Sequence, residues 1–153
     1  MQLILVRHGE AERMTVQDSE RHLTERGEQQ ASWTAQQVLA RYQPDHLVVS
    51  PLRRAQQTMQ AFASRSLDVP VTVLSCIQPD DPAAPALNAL AELQGKCILV
   101  VCHMNIIAQL AALLLDDRPE GFDLAEARVF EQPVVVPALS IEQWRCVPPY
   151  FSE

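Results

Sequence analysis

Three short apolar runs along the chain each end at polar residues. The runs are rich in Leu, Ile and Val, and they occupy residues 3–6, 47–49 and 98–102. Uninterrupted runs of this length are typical of strands that are buried on both faces of a parallel sheet. Arg7 and His8 follow the first run, and His103 follows the third. Because ligands of open parallel sheets bind beyond the carboxyl ends of the strands, the pattern predicts a basic, imidazole-bearing site at this edge.

Segments with helical periodicity lie between the apolar runs. The first predicted helix spans residues 25–42, and Thr24 is expected to cap it because its side chain can accept a backbone N–H. The second spans residues 52–64, with Ser50 as its cap and Pro51 at its first position. Two further helices are predicted over residues 86–93 and 105–115.

The remaining segments are predicted to be a loop and additional strands. Residues 9–23 are polar and should form a loop over the site, and residues 71–74 should form a strand. Residues 134–136 and 140–146 are predicted to pair at a sheet edge, because the flanking prolines cannot donate to a ladder. The alternation predicts an α/β fold, a three-layer α/β/α sandwich with a mostly parallel central sheet, as one domain over residues 1–153.

Composition and charge restrict the function classes. Hydrophobic residues make up 48% of the chain and charged residues 20%, which is ordinary for a globular protein. The formal net charge is −7. General binding to nucleic acids or to anionic membranes is therefore disfavoured, and the positive charge of the site must be local.

Hydropathy and cysteine usage predict a cytoplasmic protein. The first apolar run is too short for a signal peptide, and no segment reaches the roughly 20 apolar residues that cross a bilayer. The four cysteines form no CxxC pair. We expect them to be reduced thiols without a disulfide or zinc role.

Three motifs at the strand ends resemble those of one enzyme family. Residues 7–10, Arg-His-Gly-Glu, are similar to the Arg-His-Gly signature of the histidine phosphatase superfamily. Residues 50–58, Ser-Pro-Leu-Arg-Arg-Ala-Gln-Gln-Thr, resemble its second motif, S-x-x-x-R-A-x-Q-T. His103 stands where the family keeps its second histidine. The resemblance covers most of the chain and implies a phosphoglycerate-mutase-like fold and a phosphatase.

The short length and a fourth segment make the chain similar to the SixA-type branch of this superfamily. Residues 18–24, Asp-Ser-Glu-Arg-His-Leu-Thr, resemble a D-S-x-R-P-L-T segment, with His22 where Pro is usual. Enzymes of that branch are phosphohistidine phosphatases that act on signalling proteins. The chain also lacks the long insertions that enclose small substrates in phosphoglycerate mutases. The resemblance therefore implies an open site that admits a phosphohistidine on a partner domain.

The resemblance also implies roles for four side chains. His8, as a neutral imidazole, would attack phosphorus and become phosphorylated, while a backbone carbonyl holds the proton on its other ring nitrogen. Arg7 and Arg54 would bind phosphoryl oxygens through their planar guanidinium groups. A protonated His103 would add a further donor. No metal or other cofactor is expected, because these cationic groups neutralise the phosphoryl charge.

Two neighbouring arginines follow the second strand, and only one is expected to face the site. Adjacent residues of a helix point about 100° apart. Arg54 precedes the Ala-x-Gln-Thr part of the motif, so we predict that it faces the site and that Arg53 is solvated. Arg21 either lines the mouth of the site or is a plain surface residue.

The sequence does not identify the proton donor. Larger members of the superfamily carry an acidic residue after the third strand, in the region where this chain has Cys76. Glu10, Asp18 and Asp80 remain as candidates. The missing strong acid suits a leaving group that departs easily, such as the imidazole of phosphohistidine.

Two alternative functions stay open. A phosphatase for small phosphomonoesters would need a competent acid near His8. A phosphate- or phosphoprotein-binding module would keep the pocket without turnover. In all three cases the partner is a phosphorylated protein or a small phosphate compound, and neither a nucleic acid nor a membrane is expected.

Overall fold

The computed structural model describes residues 1–13 and 17–152. Within them, six strands form one sheet: β1 (Gln2–Arg7), β2 (His46–Val49), β3 (Val71–Val73), β4 (Cys97–Cys102), β5 (Ala127–Glu131) and β6 (Ile141–Cys146). The α-helices are α1 (Glu25–Leu39), α2 (Arg53–Ala63), α3 (Ala83–Ala91) and α4 (Ile106–Leu115). A short 3-10 helix spans Asp18–Glu20.

The sheet is parallel over most of its width. Its strand order is β3-β2-β4-β1-β5-β6. The four strands from β3 to β1 run parallel to their neighbours, and β5 and β6 are antiparallel additions at one side. Because β2, β4 and β1 are adjacent and parallel, their carboxyl ends meet at one edge of the sheet.

Alternating side chains of the central strands bury two separate cores. On one face, Leu3 and Leu5 of β1 pack in a cluster with residues of α3 and α4. On the other face, Ile4 and Val6 pack in a cluster with residues of α1 and α2. Since successive residues of a strand point to opposite faces, a continuous apolar run is what a sheet covered on both sides requires. The predicted three-layer α/β/α fold is confirmed.

The two helix caps predicted from sequence have different outcomes. Thr24 caps α1 as predicted, because its hydroxyl oxygen accepts the N–H of Gly27 at 3.0 Å. The prediction that Ser50 caps α2 is wrong, since α2 begins at Arg53 and Leu52 occupies the cap position. The Ser50 hydroxyl oxygen instead accepts the N–H of Leu52 at 3.2 Å and lies 2.7 Å from Nε2 of His103.

The predicted strand over residues 134–136 is also wrong. The partner of β6 is β5, which has no counterpart among the predicted elements, and residues 134–136 lie outside any strand. The prolines on either side of residues 134–136 remove backbone donors that a ladder needs, and Val134 and Val136 are exposed by 55% and 40%. The apolar pattern of β5 is interrupted by a buried charged residue, Arg128, the second residue of the strand.

The predicted loop over residues 9–23 is confirmed where the structure describes it, and residues 14–16 lie outside the described residues. It contains the 3-10 helix and an isolated antiparallel bridge between Ala11 and Leu23. None of the helices in the described part of the chain is long and apolar enough to cross a membrane.

Candidate active site

The four side chains singled out from the sequence meet at the carboxyl edge of the sheet. Arg7 ends β1 and His8 follows it, His103 follows β4, and Arg54 lies in the first turn of α2, the helix after β2. Arg7, His8 and Arg54 line an open cavity of about 530 Å³. Its other lining residues are Glu10, Ala11, Asp18, Arg21, Pro79, Asp80, Met104 and Leu124.

The tautomer of His8 follows from its hydrogen bond. Nδ1 lies 2.7 Å from the carbonyl oxygen of Gly9, and a carbonyl only accepts, so Nδ1 carries the proton and Nε2 keeps a lone pair. Burial lowers the pKa of His8 to about 4, and the charges of Arg54 and Arg7 add to this effect. The imidazole is therefore neutral at neutral pH and presents an unprotonated Nε2.

Close backbone packing fixes the turn that carries His8. A Cβ atom on Gly9 would lie 2.5 Å from the carbonyl oxygen of Gly27, in the first turn of α1. The N–H of Gly9 donates to the Thr58 hydroxyl oxygen at 3.0 Å. The glycine of the first motif is needed here because the loop after β1 passes directly against α1.

Arg54 is almost fully buried, and its guanidinium group contacts two neighbouring residues, His8 and Asp18. Its Nε lies 3.4 Å from Nε2 of His8. Its two terminal nitrogens donate to Asp18, one to the backbone oxygen at 2.8 Å and one to the carboxylate at 3.1 Å. Arg53 is exposed, so the structure agrees with the predicted choice between the two arginines.

Arg7 and His103 each carry an unpartnered nitrogen. One terminal nitrogen of Arg7 donates to the carbonyl oxygen of Phe122 at 2.7 Å. Among the described residues, Nε of Arg7 and Nδ1 of His103 are the buried side-chain nitrogen or oxygen atoms without a hydrogen-bond partner. Buried donors of this kind are costly unless a ligand satisfies them.

His103 lies beside His8. Its ring centroid is 5.2 Å from that of His8, and it has no exposed surface. Burial, followed by the charges of His8 and the arginines, lowers the pKa of His103 to about 2. Among these protein groups its imidazole is therefore neutral, and the protonated donor expected with a bound phosphoryl group stays a prediction.

Ser50 and Thr58 are site residues that the sequence analysis did not select. Ser50 contacts His103, and Thr58 bonds the backbone of both Gly9 and Arg54. Arg54 and Thr58 lie four residues apart in α2, and side chains at this spacing lie on one side of a helix. Ser50 precedes α2, and its place at the start of the second motif is the signal that could have indicated it.

The three candidate acids all line the cavity, but each is held differently. Glu10 accepts from the Thr24 hydroxyl at 2.8 Å and pairs with Arg26 at 3.2 Å. Asp80 accepts from the side-chain amide of Asn105 at 3.3 Å.

Asp18 bridges two arginines. Its carboxylate accepts from Nε of Arg21 at 3.0 Å and from Arg54 at 3.1 Å. Partial burial opposes ionisation of Asp18, but the charges and hydrogen bonds of Arg54 and Arg21 outweigh it and lower its pKa. Arg21 lines the cavity, which agrees with the predicted position at the mouth of the site and not with a plain surface residue.

Comparison with known proteins identifies the family. A phosphohistidine phosphatase SixA homolog from Haemophilus influenzae is 33% identical over an alignment of 131 positions, and the match covers 77% of this chain and 79% of that protein. The sequence profile of the histidine phosphatase superfamily (branch 1) matches residues 3–78. The chain belongs to this superfamily.

Solved structures share the fold of this phosphatase. The protein histidine phosphatase SixA complexed with tungstate superposes with a TM-score of 0.83 at 23% identity, over 96% of this chain and 97% of the other. Phosphoserine phosphatase from Entamoeba histolytica, in complex with 3-phosphoglyceric acid, has a TM-score of 0.71 at 21% identity, over 94% and 96%. The predicted SixA-type, phosphoglycerate-mutase-like fold is confirmed.

The cavity of this phosphatase is lined by the guanidinium groups of Arg7, Arg21 and Arg54 and by the imidazole of His8. His103 lies beside His8 but is not among the lining residues. Within the described ranges, no group of three or more His, Cys, Asp and Glu side chains has the arrangement of a metal site.

Proposed function

We propose that this phosphatase hydrolyses phosphohistidine on a signalling protein, through a covalent phosphoryl intermediate on His8. The observation that carries the proposal is the state of His8. Its Nδ1–H is held by the Gly9 carbonyl, and its unprotonated Nε2 lies beside the Nε of Arg54. A neutral imidazole fixed in this tautomer is a competent nucleophile for phosphorus.

The unpartnered nitrogens indicate how the phosphoryl group would be bound. Nε of Arg7 and Nδ1 of His103 need acceptors, and phosphoryl oxygens supply them. The Ser50 hydroxyl oxygen already accepts the N–H of Leu52, so its own hydrogen is available to Nε2 of His103. This leaves the proton of the neutral His103 on Nδ1, where it donates to a phosphoryl oxygen.

The reaction would proceed in two steps. In the first, the Nε2 lone pair of His8 forms a bond to phosphorus as the P–N bond of the substrate breaks. The bonding electrons leave on the substrate ring, which departs as a neutral imidazole because its other ring nitrogen is protonated. In the second, water attacks phosphorus and the His8–phosphorus bond breaks, so that Nε2 recovers its lone pair. Both protons of the water stay on phosphate oxygens, and dihydrogen phosphate leaves. Arg7, Arg54 and His103 stabilise the equatorial oxygens in both steps, and no metal is required.

The character of the acidic side chains favours phosphohistidine as substrate. Asp18 has a lowered pKa and bridges two arginines, so it is ionised at neutral pH and holds no proton to donate. Glu10 is engaged by Thr24 and Arg26. An imidazole leaving group needs less help from an acid than an alkoxide does, and a curated relative is named as a phosphohistidine phosphatase SixA homolog.

The partner and the location belong to the same proposal. The cavity is open, so it admits a phosphohistidine presented on the surface of another protein. The four cysteines are free, which is typical of proteins in a reducing compartment such as the cytoplasm.

Trapping of the intermediate tests the proposal. The wild type is mixed with a protein that carries radiolabelled phosphohistidine and is quenched in alkali, which preserves phosphohistidine. We expect acid-labile label on the wild type and on His46→Ala, whose side chain contacts Thr72 and the Gln94 backbone away from the cavity. His8→Ala should carry no label. Equal labelling of His8→Ala would overturn the proposal.

A second candidate function, hydrolysis of small phosphomonoesters, is favoured by Asp80. This carboxylate lines the cavity, and its recorded partner is a neutral amide instead of an arginine. If Asp80 protonates an alkoxide, Asp80→Asn should reduce aryl or alkyl phosphate hydrolysis and leave phosphohistidine hydrolysis intact. Asp81→Asn is the matched control, because Asp81 accepts the Gln78 N–H and does not line this cavity.

A further inference from the structure

A buried arginine lies next to the site without touching the cavity. Arg128, the second residue of β5, is 2% exposed. Its Nε donates to the carboxylate of Glu126, which is also buried. Its terminal nitrogens donate to the carbonyl oxygens of Glu120 at 3.2 Å and Gly121 at 2.7 Å. Its guanidinium carbon stands 3.7 Å from the ring centroid of Phe122.

These contacts all converge on the segment before β5, residues 120–126. Arg128 holds two consecutive carbonyls and one ring of this segment. Glu126 fixes the backbone of the segment at Asp123, because its second carboxylate oxygen accepts the N–H of Asp123 at 2.8 Å. The segment is therefore fixed from its buried side by one ion pair.

The same segment holds the two residues at the end of β1. The Phe122 carbonyl accepts from the Arg7 guanidinium at 2.7 Å. The N–H of Ala125 donates to the His8 carbonyl at 3.0 Å, and the N–H of Arg7 donates to the Glu126 carbonyl at 3.1 Å. The segment thus fixes the position of both the backbone and the side chain of Arg7.

Strand register places the two arginines on the same face of the sheet. Arg128 pairs with Leu5 across the antiparallel β1–β5 ladder. Arg7 follows Leu5 by two residues and so points to the same side. Phe122 contacts both arginines, Arg128 through its ring and Arg7 through its carbonyl oxygen.

A buried ion pair contributes little to the stability of the fold, because the desolvation of both charges offsets most of their attraction. Apolar residues would fill the same position of β5 at lower cost. The donors of Arg128 instead match carbonyls of the segment that Arg7 depends on.

We propose that Arg128 is a positioning residue, which fixes the Phe122 carbonyl and thereby aims the Arg7 guanidinium at the phosphoryl group. The proposal rests on the proposed function, in that Arg7 binds a phosphoryl oxygen. Arg128 itself contacts neither substrate nor His8.

A double-mutant cycle on oxyanion binding tests the proposal. Dissociation constants of inorganic phosphate are measured by calorimetry for the wild type, Arg128→Lys, Arg7→Ala and the double variant. Arg128→Lys keeps the charge opposite Glu126 but cannot hold a carboxylate and two carbonyls with one ammonium group. We expect it to weaken phosphate binding about tenfold in the wild-type background and less than about twofold in the Arg7→Ala background.

Controls separate positioning from general destabilisation. Arg41→Lys is the matched control, because Arg41 also stacks on an aromatic ring. Its guanidinium carbon stands 4.9 Å from the ring centroid of Trp144, which lies in β6, away from the cavity. It should leave phosphate binding unchanged. If Arg128→Lys does not fold, as judged by circular dichroism, the Glu126→Gln/Arg128→Met variant replaces it in the cycle, since it removes both buried charges together.

The outcomes distinguish the two proposals. Loss of affinity that disappears with Arg7 supports the positioning role. An equal loss in both backgrounds, or an unchanged affinity in a folded Arg128 variant, overturns the positioning role and leaves the proposed function standing. Failure of the wild type to bind phosphate or vanadate at all overturns the proposed function, and the positioning role with it.

Discussion

Arg7 and Arg54, the two arginines proposed to bind the phosphoryl group, are held by different kinds of partner. Arg54 donates to the carboxylate and the backbone of Asp18, whose side chain is 40% exposed at the cavity rim. Arg7 donates to the carbonyl of Phe122, a residue 3% exposed and packed under Arg128. A carboxylate at a solvated rim is a charged competitor of phosphate, whereas a buried carbonyl is a neutral, fixed acceptor. Phosphate binding should therefore leave the Arg7 guanidinium in place, bonded to the Phe122 carbonyl. At Arg54, phosphate should replace the Asp18 carboxylate.

Removing either guanidinium tests the largest effect. Arg54→Ala and Arg7→Ala each remove a donor to phosphoryl oxygens, and loss of one such donor costs on the order of 10²–10³ in rate. Steady-state hydrolysis of a phosphohistidine protein measures this loss. Arg53→Ala is the control because Arg53 is exposed, and its hydrolysis rate should stay within about twofold of the wild-type rate. A loss in Arg53→Ala equal to that in Arg54→Ala would mean that the wrong arginine has been assigned to the site.

The pH dependence tests the electrostatic difference between the two sides. Burial, followed by the Arg54 charge and then the Arg7 charge, lowers the pKa of His8 to about 4. Because the proposed nucleophile is neutral His8, kcat/KM should stay flat down to about pH 5 and fall only as His8 is protonated. NMR titration of His8 should show a larger rise of its pKa in Arg54→Gln than in Arg7→Gln. An acid limb near pH 6.5 in the wild type would contradict the account.

The same shifts predict how stability changes with pH. The pKa of both His8 and His103 is lower in the folded protein than the ordinary value of 6.5. The unfolded chain therefore binds more protons, and the free energy of unfolding should fall as the pH decreases from 6.5 towards 4. Urea unfolding at several pH values measures this. His103→Asn should have a shallower decline than the wild type, and an identical slope would contradict the assigned shift.

The smallest effect is expected at the rim. Asp18→Asn removes the charge that competes with phosphate for Arg54, so the affinity for inorganic phosphate should rise by roughly three- to tenfold, as expected for a partly exposed pair. Glu20→Gln is the matched control, since it changes the same charge in the same 3-10 helix at an exposed position. Weaker binding in Asp18→Asn would show that Asp18 positions Arg54 more than it competes with phosphate.

The sequence predicted the elements whose pattern matches a simple physical rule. The β1 and β4 strands are continuous apolar runs because both faces of the sheet are covered. Residues 7, 8 and 103 follow those runs, so the topology brings them together at one edge. Helix geometry indicated that only one of Arg53 and Arg54 can face the site, and the motif Ala-x-Gln-Thr that follows Arg54 decided which one.

The features that were missed depend on interactions between distant segments. A strand that contains Arg128 does not resemble a buried strand until the contacts of Arg128 with Glu126 and with the backbone of residues 120–121 are known. The opposite error occurred at Val134 and Val136, which are apolar but exposed. The neutral state of His103 follows from its depth of burial, which the sequence does not reveal.

One crystal structure with orthovanadate tests the central claim most directly, because vanadate mimics a phosphoryl group in transfer. The account predicts a bond from vanadium to Nε2 of His8. It also predicts vanadate oxygens within hydrogen-bond distance of Nε of Arg7, the guanidinium of Arg54 and Nδ1 of His103. Vanadate bound at the rim on Arg21 alone, with His8 not bonded to it and Arg7 and His103 still unpartnered, would contradict the account.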